Sequence, residues 1–305
     1  MLVSVIIPSF RPELFLQDAV KSVLNQSYKK IEIIIIDDTG KNKLKKLAKK
    51  KKLYLNKKIK IYSNSQNKGV SYSLNKGIAK AKGEYVCWLS DDDLYHSDKI
   101  KLQIDTIKKS KFDNKMIIAT NFFLLKENAK TQKKYTRPFE NDHLERILLF
   151  DDLHGCTLLM PKHLFKRNKF NINLRHAQDY DLWLKLSSNG YKFFLLNKHL
   201  LYSRVHGNQD SIVHSGLAYK EKKELYEKYI YNFFLKSFYN KNYFKIFMIF
   251  LTYSHRNYQE TVKNLKNFKN FFYSKNQYKI NLIIHSAIFF SFFTRNSKKL
   301  INFIL

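Results

Sequence analysis

Short apolar runs alternate with amphipathic helical patterns through the first 120 residues of this 305-residue chain. The predicted strands are Leu2–Pro8, Ile31–Asp37, Ile59–Ser63, Tyr85–Leu89 and Met116–Thr120. The helices predicted between them are Glu13–Asn25, Lys41–Leu53, Val70–Ala81 and Ser97–Lys109. Such alternation is typical of right-handed βαβ units whose parallel strands are covered by helices on both faces. The sequence therefore predicts an α/β fold with a mostly parallel sheet flanked by helices.

The pattern changes after residue 120, where longer loops separate the predicted elements. These elements are an apolar segment Cys156–Met160, a helix Tyr180–Ser188 and a strand Phe193–Leu196. From about Leu217 the sequence becomes helical, basic and aromatic, and its most apolar parts are Tyr243–Tyr253 and Ile280–Phe293. This C-terminal helical extension fits two descriptions: a helical annex packed on the first domain, or an interfacial surface for an anionic membrane.

The chain is strongly basic, with 56 Lys and Arg against 25 Asp and Glu and a net charge of +31. Such a charge favours anionic partners: phosphates, acidic lipids or nucleic acid. Lys, Asn, Ile, Phe and Tyr are abundant together, as in proteins encoded by A+T-rich genomes, so solvated helix faces also account for many of the lysines. Composition alone therefore leaves the partner open.

Cysteine content and the N-terminal segment bear on the compartment. Cys87 and Cys156 are the only cysteines and have no CxxC spacing, which predicts a reducing compartment and no zinc site. The run Met1–Pro8 has no basic leader and reads as a strand, not as a signal peptide. Ile280–Phe293 has about 14 residues, against the ~20 that a membrane span needs. These features predict a cytoplasmic protein.

Three aspartates stand directly after the apolar run Tyr85–Leu89, where Ser90–Asp93 reads Ser-Asp-Asp-Asp. Buried parallel strands end at the carboxyl edge of their sheet, where open α/β folds bind ligands. Adjacent carboxylates repel one another, and a divalent cation would relieve that repulsion while neutralising nucleotide phosphates. A solvated turn that caps the next helix explains the same residues. On these residues alone both interpretations stay open.

Five short motifs occur in order along residues 1–210. They are Val3–Phe10 (VSVIIPSF), Glu32–Asp38 (EIIIIDD), Asn67–Gly77 (NKGVSYSLNKG), Trp88–Asp93 (WLSDDD) and Ala177–Trp183 (AQDYDLW). Together they resemble the inverting nucleotide-sugar glycosyltransferases of family 2, which have the Rossmann-like GT-A fold. The resemblance implies a GT-A domain at 1–215, with a nucleotide-sugar half at 1–110 and an acceptor half at 111–215. Residues 216–305 would form the extension.

The resemblance also assigns roles to individual residues. The residues expected to bind the nucleotide sugar are Pro8, Ser9, Phe10, Asp38, Asn67, Gly69, Asn75 and Asp91. The expected ligands of a divalent cation, Mn2+ or Mg2+, are Asp92, Asp91 and His206. The residues expected on the acceptor side are the general base Asp179 and two lining residues, His154 and Trp183. The cation would stabilise the leaving diphosphate, and the base would take the acceptor proton as its hydroxyl attacks the anomeric carbon with inversion.

Several of these residues have simpler explanations. A histidine in a polar loop, a histidine at a strand start and an aspartate at a strand end also account for His206, His154 and Asp38. Asp93 either assists the metal through a water or caps the following helix, and Asp181 supports the start of its own helix.

The chain departs from the family pattern in its first turn and at three further positions. The departures are Arg11-Pro12 directly after Phe10, Leu74 where many relatives have Arg, Ser90 in place of Asp, and Gln178 in place of Glu. Activity is nevertheless expected, because the proposed base Asp179 is present.

The leading hypothesis is an enzyme that transfers a hexose or N-acetylhexosamine from a UDP-sugar to a growing surface glycan or lipid-linked glycan. It would act as a peripheral protein at the inner face of a bacterial plasma membrane, where the basic extension meets anionic lipid. A nucleic-acid-binding protein is the second hypothesis, motivated by the charge, although no nucleic-acid motif is present. The third is a scaffold of the same fold that binds nucleotide sugar without catalysis.

Overall fold

The structure is a computed structural model of the chain. It describes residues 1–12, 14–41, 43–50, 56–110, 115–126, 131–134 and 153–207, followed by 209, 213–214, 216–225 and 228–229.

A five-stranded sheet and a four-stranded sheet form the framework of these residues. The strands are β1 (Val3–Ser9), β2 (Ile31–Asp37), β3 (Ile59–Ser63), β4 (Tyr85–Trp88), β5 (Leu94–Tyr95), β6 (Met116–Leu125), β7 (Thr131–Lys134), β8 (Met160–Pro161) and β9 (Lys192–Arg204). The first sheet has the order β3-β2-β1-β4-β8, in which only β8 runs antiparallel to its neighbour. Almost every residue of β1 and β2 is buried, as in a sheet covered on both faces. The predicted α/β sheet is confirmed.

The strand predicted at Met116–Thr120 belongs to the second sheet. The sequence pattern put this strand in the first sheet, but β6 lies in a sheet of order β5-β9-β6-β7. The position beside β4 is taken by β8, where Met160 pairs with Val86, so no room remains there for β6. A bridge between Ile118 and Leu159 connects β6 to the residue before β8.

The pairing of β6 with β9 contains a shift of register. The pairs at this point are Thr120 with Leu196, Asn121 with His199 and Phe122 with Leu201. The unmatched residues of β9 form a bulge, which bends the strand and increases its local twist. Beyond this bulge the strand continues to Arg204, far past the predicted end at Leu196.

Helices connect and cover the strands. They are α1 (Leu16–Leu24), α2 (Lys43–Lys50), α3 (Val70–Lys80), α4 (Lys99–Lys109) and α5 (Gln178–Ser188), with 3-10 helices at Gly155–Thr157 and Lys162–Lys166. Each of the five helices predicted before residue 215 is present with ends that differ by a few residues, and the predicted end at Leu53 lies outside the described residues. The helix α3 lies so close to β1 that a Cβ on Gly77 would be 2.4 Å from the Cγ2 of Ile6.

The chain divides into two compact units, Met1–Lys223 and Glu224–Leu305. The first unit extends past residue 215, the boundary predicted from the sequence, and it includes the helical residues 216–223. The apolar stretches Tyr243–Tyr253 and Ile280–Phe293 lie outside the described residues. None of the helices in the described ranges combines the length and the apolar character of a membrane span.

Candidate functional site

The acid motif begins where β4 ends, beside the carboxyl end of β1. The Ser9 hydroxyl donates a hydrogen bond to Asp91 Oδ2 at 2.6 Å. The backbone N–H groups of Phe10 and Arg11 also donate to this carboxylate. Burial raises the pKa of Asp91 to about 6, with a further contribution from the Asp92 charge, although these hydrogen bonds oppose the shift. Asp91 therefore ties two strand ends together and is costly to ionise.

Asp92 faces a second part of the chain, the segment after β9. Its Oδ2 lies 3.1 Å from His206 Nε2, and its backbone carbonyl accepts a hydrogen bond from Arg204 Nε at 3.0 Å. The Arg204 guanidinium lies 4.4 Å from the centroid of the Phe15 ring, which also contacts the His206 ring at 5.2 Å between centroids. Two of the predicted metal ligands, Asp92 and His206, are thus neighbours in the structure.

Asp93 does not cap the following helix, which is one of the two roles expected from the sequence. Its side chain is buried, its Oδ1 accepts the Arg204 N–H at 2.9 Å, and the Ser203 hydroxyl also donates to it. The helix α4 begins after Asp98, which makes no side-chain capping bond. Burial, reinforced by the Asp92 charge, raises the pKa of Asp93 well above its usual range. Asp93 therefore anchors the end of β9 beneath the acid motif.

Among the described residues, one group of three metal-ligand types lies close together: Asp93, His154 and Cys156, with ligand atoms within 4.8 Å of one another. The hydrogen bonds of His154 do not fit a metal here. Its Nδ1 accepts the Cys156 N–H at 3.2 Å, so the proton of the neutral ring is on Nε2, the atom that would have to bind the ion. Burial lowers the pKa of His154 to about 4, so the ring is neutral.

The pair Asp92 and His206 fits a divalent cation better. Their side chains keep 18% and 13% exposure, and they offer a carboxylate oxygen and an imidazole nitrogen 3.1 Å apart. A carboxylate oxygen is a ligand of both Mn2+ and Mg2+, and imidazole is a common ligand of transition-metal ions. Asp91 lies next in the chain, with its Oδ2 engaged by Ser9.

Three of the residues expected to bind the nucleotide meet at the end of β2. The carboxylate of Asp38 accepts hydrogen bonds from Asn64 Nδ2 and from the N–H groups of Lys68 and Gly69, all at 2.8 Å. Gly69 has φ +84°, a conformation that favours glycine, and its N–H also reaches Asn67 Oδ1 at 3.0 Å. Asp38 thus holds the turn 64–69 against the sheet edge.

Asn75, which is expected to contact the nucleotide sugar, binds the backbone of Phe170 in this structure, and its contact with the nucleotide sugar stays a prediction. Asn75 Nδ2 donates to the Phe170 carbonyl at 2.9 Å, and Asn75 Oδ1 accepts the Phe170 N–H at 3.0 Å. The Ser71 hydroxyl donates to the Leu174 carbonyl at 3.0 Å. Because the amide is already bound at both ends, Asn75 anchors to α3 the segment that leads into α5.

Trp183 is a core residue in this structure, and its expected contact with the acceptor stays a prediction. Its side chain is buried and stacks on Trp88 with ring centroids 5.5 Å apart. Asp179 lies one turn earlier on the same face of α5, because residues i and i+4 of a helix are neighbours. Asp179 Oδ1 accepts the Tyr180 N–H at 2.8 Å. The stacked indoles thus place this face of α5 against the end of β4.

The remaining predicted residues occupy varied positions. His154 Nε2 lies 3.2 Å from Ser203 Oγ, and its ring contacts Phe122 at 5.0 Å between centroids. Pro8 pairs with Ile36 within the first sheet, and Phe10 is exposed just after β1. Their roles toward a substrate stay predictions.

Sequence reasoning missed Ser203, Arg204 and Phe15, which surround the acid motif. The motif around His206 was recognised only through its histidine. Had the predicted strand been extended from Leu196 to Arg204, Ser203 and Arg204 would have been placed at a strand end, just before His206.

The comparison with protein families matches a model described as glycosyl transferase family 2 to residues 4–167, more than half of the 305 residues. This chain belongs to glycosyl transferase family 2.

Several relatives of this family 2 member are named as glycosyltransferases. An uncharacterized glycosyltransferase of Rickettsia typhi is 33% identical over 215 residues, which are 68% of this chain and 65% of the relative. A Rickettsia prowazekii counterpart is 35% identical with the same coverage. The chain therefore spans less than two thirds of the length of these relatives. The hyaluronan synthase of Pasteurella multocida is 27% identical over 72% of this chain and 22% of its own length.

Solved structures show the fold of this family 2 member in other proteins. S. aureus TarS in complex with UDP superposes with a TM-score of 0.55, and its complex with UDP-GlcNAc with 0.58, both at 20% identity. These matches cover 76% of this chain and 66% and 67% of the TarS chains. The likeness is one of fold and confirms the GT-A type of architecture.

Proposed function

We propose that this chain is an inverting glycosyltransferase that moves a hexose or N-acetylhexosamine from a UDP-sugar to a hydroxyl group of a growing surface glycan. The observation that carries the proposal is the cluster at the carboxyl edge of the first sheet. There, Ser9 contacts Asp91 at 2.6 Å and His206 contacts Asp92 at 3.1 Å, so three distant segments meet. TarS, which shares the fold, is described in complex with UDP and with UDP-GlcNAc, and this supports the choice of donor.

Asp92 and His206, with Asp91, would hold Mn2+ or Mg2+ in the proposed site. The ion would supply electrostatic stabilisation of the diphosphate as it leaves. The Arg204 guanidinium, which lies over the Phe15 ring and donates to the Asp92 backbone carbonyl, adds a positive charge next to Asp92. Phe10, Asp38, Asn67 and Gly69 are the proposed contacts of the nucleotide.

Asp179 is the proposed general base. Its carboxylate would accept the proton of the acceptor hydroxyl while that oxygen attacks the anomeric carbon from the side opposite the nucleotide. The attack forms the new glycosidic bond and breaks the bond to the diphosphate, so the configuration inverts. The contact of Trp183 with Trp88 supports this role, because it holds the face of α5 that carries Asp179 against β4.

A glycan or lipid-linked glycan is the proposed acceptor, at the inner face of a bacterial plasma membrane. The hyaluronan synthase among the relatives supports a polysaccharide product. The net charge of +31 supports attraction to an anionic membrane surface.

A panel of UDP-sugars tests the proposal. The purified protein is incubated with each donor, Mn2+ and bacterial membranes, and UDP release and sugar transfer are measured. We expect one donor to be used and Asp179→Asn to lower its turnover by ~100-fold or more. The matched control is Asp18→Asn, which changes an exposed first-turn aspartate of α1 and leaves turnover unchanged. Binding of UDP without turnover of any donor would instead identify a non-catalytic scaffold.

A further inference from the structure

Three consecutive backbone N–H groups just before and at the start of α5 converge on one carboxylate. Arg175 N–H, His176 N–H and Ala177 N–H donate to Glu221 at 2.9, 2.8 and 2.9 Å. Glu221 lies in helical residues 216–225, and both partners belong to the unit Met1–Lys223. A side chain that is distant in sequence therefore binds the backbone segment that leads into α5.

This contact holds the backbone that leads into α5: the Ala177 N–H is one of the N–H groups at the helix start that have no partner within the helix, and the Arg175 and His176 N–H groups precede the helix. Ala177 occupies the N-cap position and has no side chain that can accept a hydrogen bond from the first turn. A carboxylate at a helix N-terminus is stabilised both by the N–H groups and by the helix dipole. Burial alone would raise the pKa of Glu221, but the three backbone hydrogen bonds outweigh it and lower the pKa. Glu221 is therefore ionised at neutral pH.

A second contact joins the same two segments. The rings of His176 and His214 lie 5.3 Å apart between centroids. Earlier in this segment, Asn75 binds Phe170 and Ser71 binds Leu174, both from α3. The stretch between Leu174 and α5 is instead held from residues 214 and 221.

We infer that Glu221 is a positioning residue for Asp179. It binds the backbone two to four residues before Asp179 and so fixes the direction in which α5 begins and the place of the side chain on its first turn. The inference rests on the proposed function, in which Asp179 is the base. Glu221 lies outside the family-matched residues 4–167, so the inferred placement of Asp179 depends on a residue that the family model does not cover.

The geometry predicts a graded response to substitution. Glu221 Oε2 accepts from two N–H groups and Oε1 from one. In Glu221→Gln the remaining oxygen keeps two of these bonds, whereas Glu221→Ala removes all three. Misplacement of a reacting group by about 1 Å can cost ~100-fold in rate. We expect kcat to fall by ~10-fold in Glu221→Gln and by ~100-fold in Glu221→Ala.

The experiment measures UDP release from UDP-GlcNAc, or from the donor selected by the panel, with Mn2+ and with the bacterial membranes that supply the acceptor. KM for the donor and the thermal shift caused by UDP are measured beside kcat. We expect KM and the UDP shift to stay at wild-type values, because Asp38 and the turn 64–69 are not touched. Glu224→Gln is the matched control, since Glu224 is exposed in the same helical segment, and its kcat should equal that of the wild type.

Each outcome decides a different claim. Wild-type kcat in both Glu221 variants overturns the inference and leaves the proposed function intact. A parallel loss of kcat and of the UDP shift also overturns it, because Glu221 would then be a general stabilising residue. If Glu221→Ala does not fold, Glu221→Gln carries the test. Absence of turnover in the wild type for every donor refutes the proposed function and the inference with it.

Discussion

Three successive aspartates at the end of β4 have three different environments. Asp91 is tied to Ser9, Asp92 meets His206 at partial exposure, and Asp93 is buried under the end of β9. The sequence predicted a carboxylate cluster and assigned metal contact to Asp92, which the structure sets beside the expected histidine. It could not distinguish a ligand from an anchor at Asp93, because that difference depends on Ser203 and Arg204, more than a hundred residues later.

At the scale of one residue, Asp91→Asn should change the pH dependence of stability. The pKa of Asp91 is about 6 in the folded protein, against about 3.9 in an unfolded chain. Between these values the folded state holds more protons, so the free energy of unfolding falls as pH rises through the window. Asparagine removes this cost, and we expect the variant to gain ~2 kcal/mol relative to wild type above pH ~6 but little near pH ~4.

Urea denaturation without divalent cations, repeated across this pH window, measures the difference. A gap between variant and wild type that does not change with pH would contradict the assigned cause.

At the scale of elements, most bounds followed from local pattern, whereas strand partners did not. The alternation that predicted β1, β2 and β3 is a property of neighbouring residues, and those strands begin and end within a residue of the prediction. The sheet to which β6 belongs depends on β8, which contributes Met160 and Pro161 from a distant part of the chain. The bounds of β9 were missed because polar residues interrupt its apolar pattern at the bulge.

The packing of Gly155 against β4 gives a prediction at this scale. A Cβ on Gly155 would lie 2.1 Å from Trp88 Cζ2, and Trp88 cannot move away because Trp183 stacks on it. Gly155→Ala should therefore lower the free energy of unfolding by about 1–3 kcal/mol and reduce UDP-sugar turnover, since the acid motif follows Trp88. Gly216→Ala is the control, because a methyl group there meets nothing within 4 Å.

Chemical denaturation and the UDP-release assay provide the two readouts. Equal free energies of unfolding for the two alanine variants would contradict this prediction, because the 3-10 helix Gly155–Thr157 would then accommodate the methyl group without loss of stability.

At the scale of the whole molecule, the proposed site draws on residues beyond the family-matched range 4–167. Asp179, His206 and Glu221 all follow it in the chain. The ordered motifs led to roles for Asp179 and His206 that stay predictions. Glu221 could not be predicted, because a single glutamate in a basic helical segment has no pattern, and only the folded chain brings it to the start of α5.

The net charge of +31 gives a prediction for the complete chain. We expect it to sediment with vesicles of phosphatidylcholine and phosphatidylserine at low salt and to be released at high salt, because exposed charges are screened within about 8–10 Å at physiological ionic strength. Pure phosphatidylcholine vesicles should bind far less. Equal binding to both vesicles would contradict electrostatic attraction, and nanomolar, salt-sensitive affinity for RNA in a filter-binding assay would favour the nucleic-acid hypothesis.

The bulge in β9 has a consequence for how this protein tolerates changes of chain length. Strand side chains alternate between faces, so one inserted residue reverses every side chain beyond it until the register is restored. Residues 197–198 of β9 have no pairing partner in β6, so an inserted residue there enlarges a bulge that already exists. From Leu201 to Arg204 every residue of β9 pairs with a residue of β6. One residue added there would turn the Arg204 side chain away from the acid motif. Length variation in this strand should therefore be confined to one side of the bulge.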